Sequence, residues 1–188
     1  MSKLIISKLL VERVAQSLHN RNSLFSSKLL PLDANADVLE EAGKQAFKLL
    51  TCEEPGLLIF FLIYTSPLSD ESRQVGLFLS EVIFDTFRLA GWTVRCADKD
   101  EFIAAFKANH ELIKKVAYAH PKFADQYIWN EILKDQPELI RYIVAVLCTK
   151  HSTCPHNLPP DDLARLLMVL KSVVDVLDSD SYVNPNAN

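Results

Sequence analysis

The densest group of residues able to do chemistry is Cys148, His151, Cys154 and His156, spaced C-x2-H-x2-C-x-H. Zinc takes four nitrogen or sulfur ligands in a tetrahedron, and this stretch offers two of each. The spacing argues against a zinc site. Familiar zinc modules draw two ligand pairs from separated segments, whereas these four lie within nine residues. The competing expectation places Cys148 at a helix end, on the inner face with Ile140, Val144 and Leu147, where a small buried thiol is ordinary. Cys154 is followed by Pro155 and His156, and a nearby imidazole lowers a thiol's pKa. Sequence neighbours seldom align as nucleophile and base, however.

Other motifs fail at a decisive position. His110-Glu111 begins like H-E-x-x-H, but the second ligand position holds Lys114, a cation that does not bind metal at neutral pH. Asp33 to Asp37 begins like a calcium loop, yet Val38 stands where the turn needs Gly and Lys44 where a bidentate Glu is needed. The four glycines, at 43, 56, 76 and 91, form no phosphate-cradling loop. The carboxylate pairs Glu40-Glu41, Glu53-Glu54 and Asp161-Asp162 fall at expected helix starts, where acids complement the backbone dipole. No catalytic residue is assigned. Among the aromatics Tyr118, Phe123, Tyr127, Trp129 and Tyr142, Trp129 sits beside polar Asn130 and is the candidate partner contact; the plainer expectation is that it caps the core.

The elements that must position these residues are helices. Ile6, Leu10, Val14 and Leu18 recur at helical spacing over 3–18. Asp37-Val38-Leu39-Glu40 opens a second helix to about Leu50, with Leu39, Ala42, Ala46 and Leu50 inward. Pro55 suits the first turn of a third, very apolar helix ending near Tyr64, with a buried strand as the alternative, since periodicity does not separate the two. The next helix runs to Ala90 with Gly91 as its stop, and Ser66 or Ser69 as its cap. Its stripe of Val75, Phe78, Leu79, Val82, Ile83 and Phe87, joined by Leu77 and Phe84 on another face, places it centrally. Trp92 to Ala97 is an extended connection. Asp98 and Glu101 then form a capping box. From Asn109 to Cys148 three helices are expected, set off by Pro121 and Pro137. A last helix follows Pro159-Pro160, with Leu163, Leu166, Leu167, Leu170, Val174 and Leu177 inward. The expected fold is all-α, a compact bundle of roughly seven to nine helices. It forms a single domain over 1–177, with a loose polar tail over 178–188.

Bulk properties narrow the function. The longest apolar run, Leu57 to Tyr64, has eight residues, and a membrane span needs about twenty, so it is expected in the core. The four cysteines show no disulfide framework, which fits a reducing cytoplasm. Net charge is −4, with no general attraction to nucleic acid. The basic first segment, with Lys3, Lys8, Arg13, Arg21 and Lys28 against Glu12, is expected to be an ordinary first helix with a solvated face; a targeting segment is the alternative. A mean hydropathy of +0.08 suggests helices buried on more than one side, or an apolar face kept for a partner. The leading expectation is therefore a soluble, non-catalytic protein–protein interaction module, such as an adaptor, a chaperone-like factor or a regulatory subunit, meeting another protein or itself. Two alternatives stand beside it: a zinc protein using Cys148, His151, Cys154 and His156, and a helical enzyme or carrier of an apolar small molecule.

Overall fold

The computed structural model describes residues 5–21, 36–93, 96–117, 133–148, 158–179 and 182–183. The fold is all-α. Seven helices lie within the described residues: α1 (Lys8–Arg21), α2 (Ala36–Glu53), α3 (Pro55–Thr65), α4 (Asp70–Leu89), α5 (Lys99–Ala117), α6 (Pro137–Cys148) and α7 (Pro160–Ser179). Among the described residues, no helix is long and apolar enough to cross a membrane.

The central place expected for α4 is the one it takes, packed against α1, α2 and α7. All six residues of its main stripe are buried, and so is Phe84 on the second face. Such a helix buries polar side chains too, and two of them are satisfied within the helix. Ser80 and Thr86 donate back to the carbonyls of Gly76 and Val82 at 2.8 and 2.6 Å. The second hub is α7, which packs on α3, α4, α5 and α6, while α6 also lies against α1.

Helix starts follow from side chains that capture free backbone N–H groups. Ser7 Oγ accepts from Leu10 N at 3.3 Å, so α1 begins at Lys8, later than its periodicity suggested. Glu101 reaches back to the N–H of Asp98 at 3.1 Å, completing the expected capping box of α5. Gln136 precedes Pro137, the first residue of α6, and is itself 1% exposed. Its Oε1 accepts from Ile6 N at 2.8 Å, and its Nε2 donates to Asp178 Oδ1 at 2.6 Å. One amide thus ties the approach to α1, the start of α6 and the end of α7.

The start of α4 is capped twice. Ser69 Oγ accepts from Ser72 N at 3.2 Å. From α7, Asp162 Oδ2 accepts from the Ser72 hydroxyl at 2.7 Å and from Ser69 N at 3.1 Å, with Ser69 Oγ 2.9 Å away. These bonds, the Ser72 hydroxyl first and the Ser69 N–H next, hold the Asp162 carboxyl below the usual carboxylate range. A depressed folded-state pKa means stability present above the unfolded value and lost as pH falls through the folded one. Asp162→Ala is expected to cost about 1 kcal/mol at neutral pH, the usual loss of a cap. The gap between native and variant should shrink as pH falls below about 3.9, measured by urea unfolding across that range. A gap independent of pH would show that the carboxylate charge plays no part.

The segment Leu57 to Tyr64 is the expected helix, within α3. Two differences from the expected elements stand beside it. No break occurs at Asn109, because α5 continues through it to Ala117. The Asn109 side chain crosses to α7 and donates to Ser172 Oγ at 3.2 Å and Asp175 Oδ2 at 2.8 Å. There Lys171, only 8% exposed, pairs with the other oxygen of Asp175. Finally, α7 extends to Ser179, and Tyr182–Val183 pair antiparallel with Trp92–Thr93 as a two-stranded bridge. The expected boundary of Pro121 lies outside the described residues.

Candidate interaction surface

From Pro55 to Thr65 the chain carries no ionisable side chain except the Tyr64 phenol. Proline serves as the first helical residue, where its missing N–H costs nothing. One side of the resulting helix is core: Leu57, Leu58, Phe60, Phe61 and Thr65 are buried. Phe60 stacks on Phe102 of α5 with ring centres 5.6 Å apart, and Tyr64 meets Phe106 at 4.3 Å. The other side is not core. Ile59, Leu62 and Ile63 are 45%, 41% and 52% exposed. Their spacing of three and four residues sets them on one helical face. A helix apolar on all sides is ordinarily surrounded by protein, whereas α3 keeps an apolar outer stripe exposed.

The backbone holding this stripe is fixed. The segment before α5 clamps the start of α3, with Ala97 N donating to the buried Glu54 carboxylate at 2.8 Å. Gly56 permits this approach, since a Cβ there would lie 2.1 Å from Ala97 O. Nearby, Cys96 Sγ lies 3.3 Å from Glu53 O, and the negative charge of Glu54, with burial second, raises the Cys96 thiol pKa. The sequence had suggested that the whole 57–64 run is buried core. With every position apolar, the pattern carried no information about which side faces outward.

Of the residues singled out for metal or partner contact, Cys148 is described, and it is exposed at the end of α6. This corrects the expectation of an inward thiol: Ile140 and Leu147 are buried and Val144 is half-buried, but the last turn points Cys148 outward. His151, Cys154 and His156 lie outside the described residues, as does Trp129. Among the described residues, no group of three His, Cys, Asp or Glu side chains is placed to hold a metal ion.

A cavity of about 310 Å³ lies between α1, α2 and α4, lined by Leu18, Lys48, Cys52, Glu53 and Glu81 among others. Among the described residues no histidine lines it. At its edge, the Arg88 guanidinium bridges Asp85 at 2.8 Å and Glu53 at 3.5 Å, joining α4 to the end of α2. These contacts form an ion-pair network between the two helices. No family model, curated protein or solved structure matches the chain, so a functional reading rests on the surface itself.

Proposed function

We propose that the chain is a non-catalytic helical interaction module whose docking surface is the outer face of α3, and that this face takes a second copy of the chain. The observation that carries the reading is the exposed stripe of Ile59, Leu62 and Ile63 on a helix without charge. A two-fold axis would lay the stripe against itself, and two uncharged helices meet without like-charge repulsion. Exposed apolar side chains held on a rigid backbone also lose little freedom on docking. The three described cysteines are free thiols, as a reducing cytoplasm would keep them, and we place the protein there.

The test is sedimentation velocity of the native chain over a wide concentration range, beside the double variant Leu62→Lys/Ile63→Lys. Both side chains are about half exposed, so the variant should fold, with unchanged helical circular dichroism. The expected result is a native dimer and a monomeric variant. Placing charges inside an apolar contact should weaken association at least about a hundredfold. A native chain that stays monomeric throughout, or a variant that dimerises as well as the native chain, would overturn the reading.

A further inference from the structure

Three half-exposed side chains are too little for a stable dimer, which needs about 800 Å² from each partner. A docking surface must therefore reach beyond the stripe of Ile59, Leu62 and Ile63 onto a neighbouring helix. On the α5 side the flank is closed: Tyr64 packs on Phe106 with ring centres 4.3 Å apart, Phe106 is buried, and the adjoining Lys107 is exposed and charged. The other flank is α2. A Cβ on Gly43 of α2 would meet Gln74 of α4 at 3.5 Å, and Glu53 reaches Arg88 at 3.5 Å, so α2 runs beside α4 in the same direction. A Cβ on Gly76 of α4 would lie 2.7 Å from the Phe61 ring, and four residues join the end of α3 to the start of α4. Helix α3 thus runs back the opposite way, packed on α2. These levels set Phe47 of α2 within about one turn of Ile59 along the bundle. Its direction follows from the cavity shared with α1. Gln45, Leu49 and Cys52 line that cavity, and at roughly 100° per residue they stand about 140–160° round the helix from Phe47. Phe47 therefore projects from the flank of α2 that turns towards α3. At 43% exposure, it is the one exposed phenylalanine among the described residues.

Resting on the reading of α3 as a self-association surface, we propose that Phe47 anchors that contact: the ring of each copy seats on the α3 stripe of the other, and the interface spans α2 and α3. Aromatic rings supply a large apolar area from a few stiff bonds, which is why such side chains dominate binding energy. A two-fold axis makes the contact reciprocal, so one anchor per chain acts twice.

Sedimentation velocity compares the native chain with Phe47→Ala and Leu9→Ala. Leu9, 75% exposed on α1, is a truncation of the same kind outside the patch. Phe47→Ala should weaken the dimer about thirtyfold, and Leu9→Ala should leave it unchanged. A second measurement does not depend on truncation. The photo-crosslinker p-benzoylphenylalanine, placed at position 47, is irradiated in a mixture of natural-abundance and isotope-labelled chains, and the joined peptides are mapped by mass spectrometry. Crosslinks of mixed isotope composition, ending on α3, are expected. A native dimer unchanged by Phe47→Ala, or crosslinks that join only peptides of one chain, would overturn the role of Phe47 and leave the α3 contact standing. A native chain that stays monomeric removes the α3 reading itself, and the anchor with it.

Discussion

Gly56→Ala is expected to destabilise the protein by at least about 3 kcal/mol, at the upper end of what overpacking costs. The new methyl would lie 2.1 Å from the carbonyl oxygen of Ala97 and 3.0 Å from the amide of Lys99. Both are backbone atoms, so no side-chain rotation relieves the clash. The 96–98 segment must move, and Ala97 N then loses the buried Glu54 carboxylate it donates to. For a chain of this length the melting temperature should fall by roughly 6–12 °C, read by thermal circular dichroism. Gly43→Ala is the matched control. Its methyl would meet Gln74 at 3.5 Å, an ordinary contact, inside a helix where alanine is favoured by up to about 1 kcal/mol. That variant should be neutral or slightly stabilised. Equal melting points for Gly56→Ala and the native chain would mean that the clamp on α3 is not rigid.

Gln136→Leu should cost about 2–4 kcal/mol, because a buried backbone N–H at Ile6 loses its acceptor and Asp178 loses a donor. Hydrogen exchange should show the loss first at the start of α1 and the end of α7, the two places the amide holds. Gln136→Glu separates the two contacts. It keeps an acceptor for Ile6 but sets a second carboxylate against Asp178, so it should be weakest at neutral pH and recover on acidification, as one of the pair takes a proton. A Gln136→Glu variant no more stable in mild acid than at neutral pH would remove Asp178 from this account.

Local signals were legible in the sequence wherever one element decides its own form. The stripe of α4 from Val75 to Phe87 and the capping box at Asp98 and Glu101 are both encoded within a few residues. Gly91 likewise ends the helix with a positive φ of 81°, a conformation that suits glycine. What was not legible is set by contacts distant in sequence. Asp162 looked like a dipole-stabilising acid of its own helix, yet its bonds go to Ser69 and Ser72. Asn109 was the expected start of a new helix, but its side chain instead ties the middle of α5 to Asp175 of α7. Gln136 carries no pattern that announces a three-way tie. The outer stripe of α3 was hidden by uniform apolarity, and the outward turn of Cys148 by the single step that carries the last residue of α6 off the buried face.

The place of α7 along the chain bears on how the protein is made. It follows the other six described helices in sequence, yet α3, α4, α5 and α6 all pack on it. During synthesis, those helices leave the ribosome with part of their apolar surface still uncovered. Closure of the core must wait for residues 160–179, and it requires contacts that span about half of the chain, such as Ser69 with Asp162. A nascent chain that has reached only residue 158 is therefore the species most in need of a chaperone, and a translational pause before α7 would prolong that exposure.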